Sequence, residues 1–84
     1  MNRKQERVLS AIFEEPVRAN IDWRDVESLL TALGAEMTQG RGSRVRVALN
    51  GIRAVFHEPH PEKEISKGVV RALREFLTSA GVVP

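Results

Sequence analysis

The chain has no cysteine and no tyrosine, and it carries one tryptophan, three phenylalanines and two histidines. Without cysteine there is no disulfide scaffold, no thiolate zinc site and no cysteine nucleophile. With two histidines, acid–base chemistry near neutral pH has few places to reside. No apolar run approaches the roughly 20 residues that a membrane span needs. The opening Met1-Asn2-Arg3-Lys4-Gln5-Glu6-Arg7 leads into no apolar signal core, so a cytoplasmic location and no membrane partner are expected. Strong charge of one sign is also missing. The formal net charge is +2, too small an excess to establish nucleic-acid binding by itself. The placement of the charges has to carry that argument.

What is present suits one folded domain. The 84 residues are 42% hydrophobic and 29% charged, an ordinary balance for a packed chain rather than a disordered one. We expect a single domain over 1–84, with 1–16 as an N-terminal helical extension and 22–81 as the core. In the extension, Val8, Leu9, Ile12 and Phe13 recur at helical spacing until Pro16 stops the helix. A chain this short has little apolar area to spare, so that stripe is expected to join the common core.

The most informative stretch is 40–57. Asn50-Gly51 lies between two alternating apolar runs, and Asn-Gly suits a two-residue turn with positive φ at both positions. That turn predicts Leu49 opposite Ile52, Val47 opposite Ala54 and Val45 opposite Phe56 on one apolar face. The other face then carries Arg44, Arg46, Ala48, Arg53, Val55 and His57, with Arg44 opposite His57. A helix from Trp23 to Leu33, N-capped by Asp22, precedes it, followed by a short strand at 35–38. After the prolines at 59 and 61, Ser66 caps a last helix whose inward residues are Val69, Val70, Leu73, Phe76 and Leu77. The expected class is α+β, with a three-stranded antiparallel sheet and helices packed on one face.

These residues resemble the HicA toxins of bacterial type II toxin–antitoxin systems. The resemblance runs from Trp23 to Gly81. It rests on Trp23-Arg24-Asp25-Val26-Glu27-Ser28-Leu29-Leu30, Leu33-Gly34-Ala35-Glu36, Gly40-Arg41-Gly42-Ser43, Pro59-His60-Pro61 and Lys67-Gly68-Val69-Val70. It implies an α-β-β-β-α core like that of a double-stranded-RNA-binding domain, to which this chain adds its N-terminal helix. It also implies a ribonuclease that cleaves messenger RNA and is neutralised by a HicB-like antitoxin. The family's catalytic histidine usually follows a Gly-Ser pair on the second strand, whereas Gly42-Ser43 is followed here by Arg44.

Cleaving RNA without a metal needs a base for the 2′-hydroxyl, an acid for the leaving oxygen and positive charge for the phosphorane. Histidine is the natural acid or base at neutral pH, and His57, across the ladder from Arg44, is the first catalytic candidate. It equally suits a strand-end histidine that bonds a backbone carbonyl. His60 is a second candidate, or a loop residue that packs. Arg41, Ser43, Arg44, Arg46, Arg53 and Lys67 are the candidate RNA contacts. No acidic residue intervenes between Thr38 and His57, and Lys63, Arg71 and Arg74 could extend the surface. Phe56 is expected to point inward, so backbone and shape contacts are expected rather than base stacking. With no cysteine and only scattered carboxylates, no metal set is expected at His57 and His60, and no cofactor is implied. A non-catalytic RNA- or partner-binding module with the same fold is the competing reading.

Overall fold

The computed structural model describes every residue, Met1–Pro84. The order is α1 (Arg3–Ile12), α2 (Trp23–Ala32), β1 (Glu36–Gln39), β2 (Arg44–Leu49), β3 (Ile52–His57) and α3 (Lys67–Ser79). The strands form one antiparallel sheet in the order β1-β2-β3. Asn50 and Gly51 both adopt positive φ, 52° and 80°. The resulting pairing runs from Leu49 opposite Ile52 to Arg44 opposite His57, as the turn chemistry predicts. Val45, Val47, Leu49 and Phe56 are buried on the inner face, and Arg44, Arg46, Arg53 and His57 are exposed on the outer one.

The three helices close the inner face. Val8, Leu9 and Ile12 of α1, Val26, Leu29 and Leu30 of α2, and Val70, Leu73, Phe76 and Leu77 of α3 join the strand residues in one cluster. Phe56 and Phe76 meet edge-to-face with centroids 5.7 Å apart, an arrangement that sets a positive ring edge against a negative ring face. The N-terminal helix is thus part of the core and not an appendage. Its first turn is closed by a reciprocal cap between Asn2 and Gln5, which the apolar spacing does not reveal. The Gln5 side chain also donates to Ser28 Oγ at 3.0 Å, tying α1 to α2.

Two boundaries differ from expectation. Helix α1 stops at Ile12, with Phe13 as its C-cap. Strand β1 begins at Glu36 because Ala35 still belongs to the end of α2. The Ala35 N–H donates to Leu30 O and the Gly34 N–H to Thr31 O, the paired bonds of a Schellman stop. The linker before α2 is extended and pairs with the segment before α3. Trp23 N–H donates to Lys63 O, and Ile65 N–H to Ile21 O, both at 2.9 Å.

One expected surface residue is turned to another use. Arg74 does not extend a basic patch but holds the end of α1. Its guanidinium donates to Ile12 O at 3.0 Å, to Glu14 O at 2.9 Å and to the Glu15 carboxylate at 2.7 Å. The carbonyls at the end of a helix have no partners within it, and a planar five-donor fork can satisfy several at once. Exposed ion pairs contribute about 0–1 kcal/mol. The carbonyl bonds from a side chain only 23% exposed should therefore dominate here. Arg74→Ala is expected to lower stability by about 2 kcal/mol and Glu15→Ala by less than ~1 kcal/mol, read as urea midpoints. Equal losses would show that the ion pair carries the effect.

Candidate nucleic-acid interface

The outer face of the sheet is a consequence of strand alternation. Once Val45, Val47 and Phe56 are committed to the core, Arg44, Arg46, Arg53 and His57 must face away. Strand β1 adds Glu36 and Thr38 opposite Ala48 and Arg46. A shallow concavity of about 430 Å³ crosses the middle of this face, bordered by Glu36, Thr38, Arg46, Ala48, Arg53 and Val55. The ion pairs of the protein are Lys4–Asp25, Arg18–Glu14 and Arg74–Glu15, so the outer-face arginines are free to meet an external anion.

The open end of the hairpin gathers most of the remaining candidates. Arg41 and Ser43 lie in the exposed turn between β1 and β2. The turn is tight because a Cβ on Gly40 would come within 3.3 Å of Arg44 Cβ and 3.4 Å of Arg44 O. Glu58 N–H donates to Ser43 O at 2.7 Å and continues the ladder past His57. In an antiparallel ladder, hydrogen-bonded and non-bonded pairs alternate. Arg44 and His57 are thus a non-bonded pair, the kind with Cα atoms about 4.5 Å apart and side chains closest. His60 follows in the exposed exit loop.

Lys67 is not brought to this face. It opens α3 in the helical layer behind the sheet. The other end of α3 is held by the Asn50 side chain, which donates to Ala80 O at 2.8 Å. The helix therefore runs back along β3, and Lys67 lies near the Arg44–His57 end of the molecule but on its opposite side. Glu36 was missed among the outer-face residues. Its signal was the parity of β1: with Met37 half-buried, Glu36 and Thr38 must point outward.

Behind the same end, α2 meets the exit loop. Trp23, Arg24, Glu27, Glu58, Pro59, Glu62 and Lys63 line a small cleft. Burial raises the Glu27 carboxyl above its ordinary value, and the Glu58 carboxylate adds to the effect. Arg24 and the Trp23 indole act the other way. The indole Nε1 is buried and closes no hydrogen bond of good geometry. No sequence pattern announces this cleft, because its acids come from a helix and from a distant loop.

The frame from Trp23 onward matches a family model, described as HicA toxin of bacterial toxin–antitoxin, over residues 23–82. The stretch is well over half of the 84 residues, and it sets the class: the toxin half of a bacterial toxin–antitoxin pair. The chain belongs to the HicA toxin family. A toxin of this class has a cognate antitoxin as its partner. No curated protein and no solved structure matches the chain. No helix is long and apolar enough to cross a membrane.

The cleft gives a pH test. Below the ordinary carboxylate value of 4.5, Glu27 is protonated in both folded and unfolded chains and costs nothing. As pH rises from there through the raised folded value, the unfolded state gains more from ionisation, and stability falls. Glu27→Gln should therefore be more heat-stable than the wild type at pH 7 and equal to it near pH 4. Thermal melts across that range check this, and a variant less stable at pH 7 would refute it.

Proposed function

We propose that this protein is a metal-independent endoribonuclease toxin that cleaves messenger RNA and is neutralised by a HicB-like antitoxin. The observation that carries the reading is the exposed face on which Arg44, Arg46 and Arg53 stand unpaired beside His57, in a chain of the HicA family. The domain 1–84 acts as one unit, since α1 shares the core of the family-matched part.

In this reading RNA lies across the outer face. Arg44 and Arg46 hold the phosphate, while Arg53, Arg41 and Ser43 bind the backbone to either side. His57 accepts the 2′-hydroxyl proton as the 2′-oxygen attacks the adjacent phosphorus. The P–O5′ bond then breaks, and His60 donates a proton to the departing 5′-oxygen. The products are a 2′,3′-cyclic phosphate and a free 5′-hydroxyl. The arginines offset the charge that accumulates on the phosphorane oxygens. Lys67 belongs to a more distant backbone contact if the RNA wraps past the open end. The absence of an aromatic ring on this face favours binding by backbone and shape, with little preference for base identity.

A second reading follows from Arg44 itself. At the strand position where the family usually has its histidine, this chain has a permanent cation with no proton to exchange at neutral pH. A cation there suits a module that grips RNA or a partner without cutting.

His57→Ala separates the two readings. The enzyme predicts a fall in messenger RNA cleavage of about a hundredfold or more, and relief of growth arrest, while RNA affinity changes little. RNA binding without cleavage by the wild type, with cleavage gained in Arg44→His, would establish the module instead.

The phosphate role is tested by Arg44→Ala and Arg46→Ala. Each should weaken RNA binding across sequences and reduce the slope of log K against log salt by about 0.7. An unchanged slope would remove them from the interface.

A further inference from the structure

The sheet has two edges, and they are unlike. Strand β1 offers four residues and β3 offers six. The Glu58–Ser43 bond sets the alternation of the β2–β3 ladder, which makes Leu49/Ile52, Val47/Ala54 and Val45/Phe56 its bonded pairs. The backbone groups of Ile52, Ala54 and Phe56 are thus used toward β2. Those of Arg53, Val55 and His57 point away from the sheet. No hydrogen bond outside the helices and the ladders takes up any of them.

An edge of this kind is a template for another strand unless something blunts it. Here there is no proline and no bulge, and Val55 is 53% exposed. A groove between β3 and α3 runs beneath the edge, with Phe56, Ala72, Phe76, Thr78 and Ser79 among its walls and Glu75 as its acid. Small and apolar side chains of an added strand would sit in it. Alternate side chains of that strand would rise on the outer face beside Arg53 and His57.

Charge decides the occupant. A second copy pairing its β3 antiparallel about Val55 would join two outer faces that each carry Arg44, Arg46 and Arg53 without an ion-pair partner. Bringing like charges together across an interface is unfavourable. An acidic segment in the same place is favourable.

We propose that the β3 edge is the docking site of an extended acidic segment of the antitoxin, added as a fourth strand with apolar residues toward α3 and carboxylates toward Arg53 and His57. This rests on the toxin reading only in requiring an antitoxin protein. It does not depend on RNA cleavage. A fourth strand there also places the partner's carboxylates beside the cationic face and competes with phosphate for it.

The test uses the full chain and amide hydrogen exchange. A synthetic peptide of about nine residues alternating valine and glutamate is one probe, and its valine–lysine counterpart is the other. The valine–glutamate peptide should slow exchange at the amides of Arg53, Val55 and His57, and the lysine peptide should bind about tenfold more weakly. Val55→Pro removes a donor that the ladder does not use, and such edge positions tolerate proline. This variant should lose the peptide while the amides of Ile52, Ala54 and Phe56 stay protected. It should also bind the protein encoded beside this chain about tenfold or more weakly than the wild type does.

Equal binding of that neighbour protein by both forms would overturn the docking site and leave the antitoxin reading standing. No binding by either form would remove the antitoxin reading itself. Slowed exchange that grows with protein concentration, without peptide, would assign the edge to a second copy. Protection of those amides by a short single-stranded RNA but not by the acidic peptide would assign it to RNA. If Val55→Pro does not fold, Arg53→Glu decides: it should narrow or reverse the preference between the two peptides, and an unchanged preference refutes the proposal.

Discussion

Two consecutive residues at positive φ leave β2 and β3 only one way to pair. Asn50 and Gly51 set which side chains face inward, and a slip of one position would send every core valine to solvent. The helical layer depends on that choice, because α3 packs on Phe56 and the three helices share one cluster with Val45, Val47 and Leu49. The outer face depends on it equally. Its arginines are gathered by parity, since each is neighbour in the chain to a residue that packs on the core. One local turn therefore specifies both the packing of the core and the cationic outer face of the sheet.

That economy explains why much of the fold is legible in the sequence. The hairpin register is written in adjacent residues, and helix starts are marked by Asp22 and Ser66, whose side chains cap the expected turns. Arg74 could not be read in the same way. By spacing it belongs with Lys67 and Arg71, and only the approach of α1 to α3 turns it from a surface cation into a cap on foreign carbonyls. The reciprocal cap at Asn2 and Gln5 has a local signature, an asparagine three residues before a glutamine, but it lies outside the apolar stripe that marks the helix.

The candidate site divides along the same line. Arg44, Arg46, Arg53 and His57 were assembled from strand parity and stand together. Lys67 was added from charge alone, and the direction of α3 separates it from them. The acidic cleft under the exit loop had no local signature. Glu27 and Glu58 meet only because the backbone of Trp23 pairs with Lys63, a contact between residues far apart in sequence. Side chains placed by a strand's own alternation can be foretold, and those placed by the docking of one element on another cannot.

The hydrogen bond from Asn50 to the end of α3 has a wider meaning than closing a turn. Hairpin tips are ordinarily the most mobile part of a small sheet, and mobility there would let the strands twist to suit a ligand. Here the tip is fastened to the helix that runs along the back of β3, so the sheet behaves as a stiff ruler. Arg44 and Arg46 stand about 7 Å apart along it, the distance of two strand residues. A flexible polyanion meeting such a ruler must take up its spacing, so the entropy lost on association falls on the ligand and hardly at all on the protein.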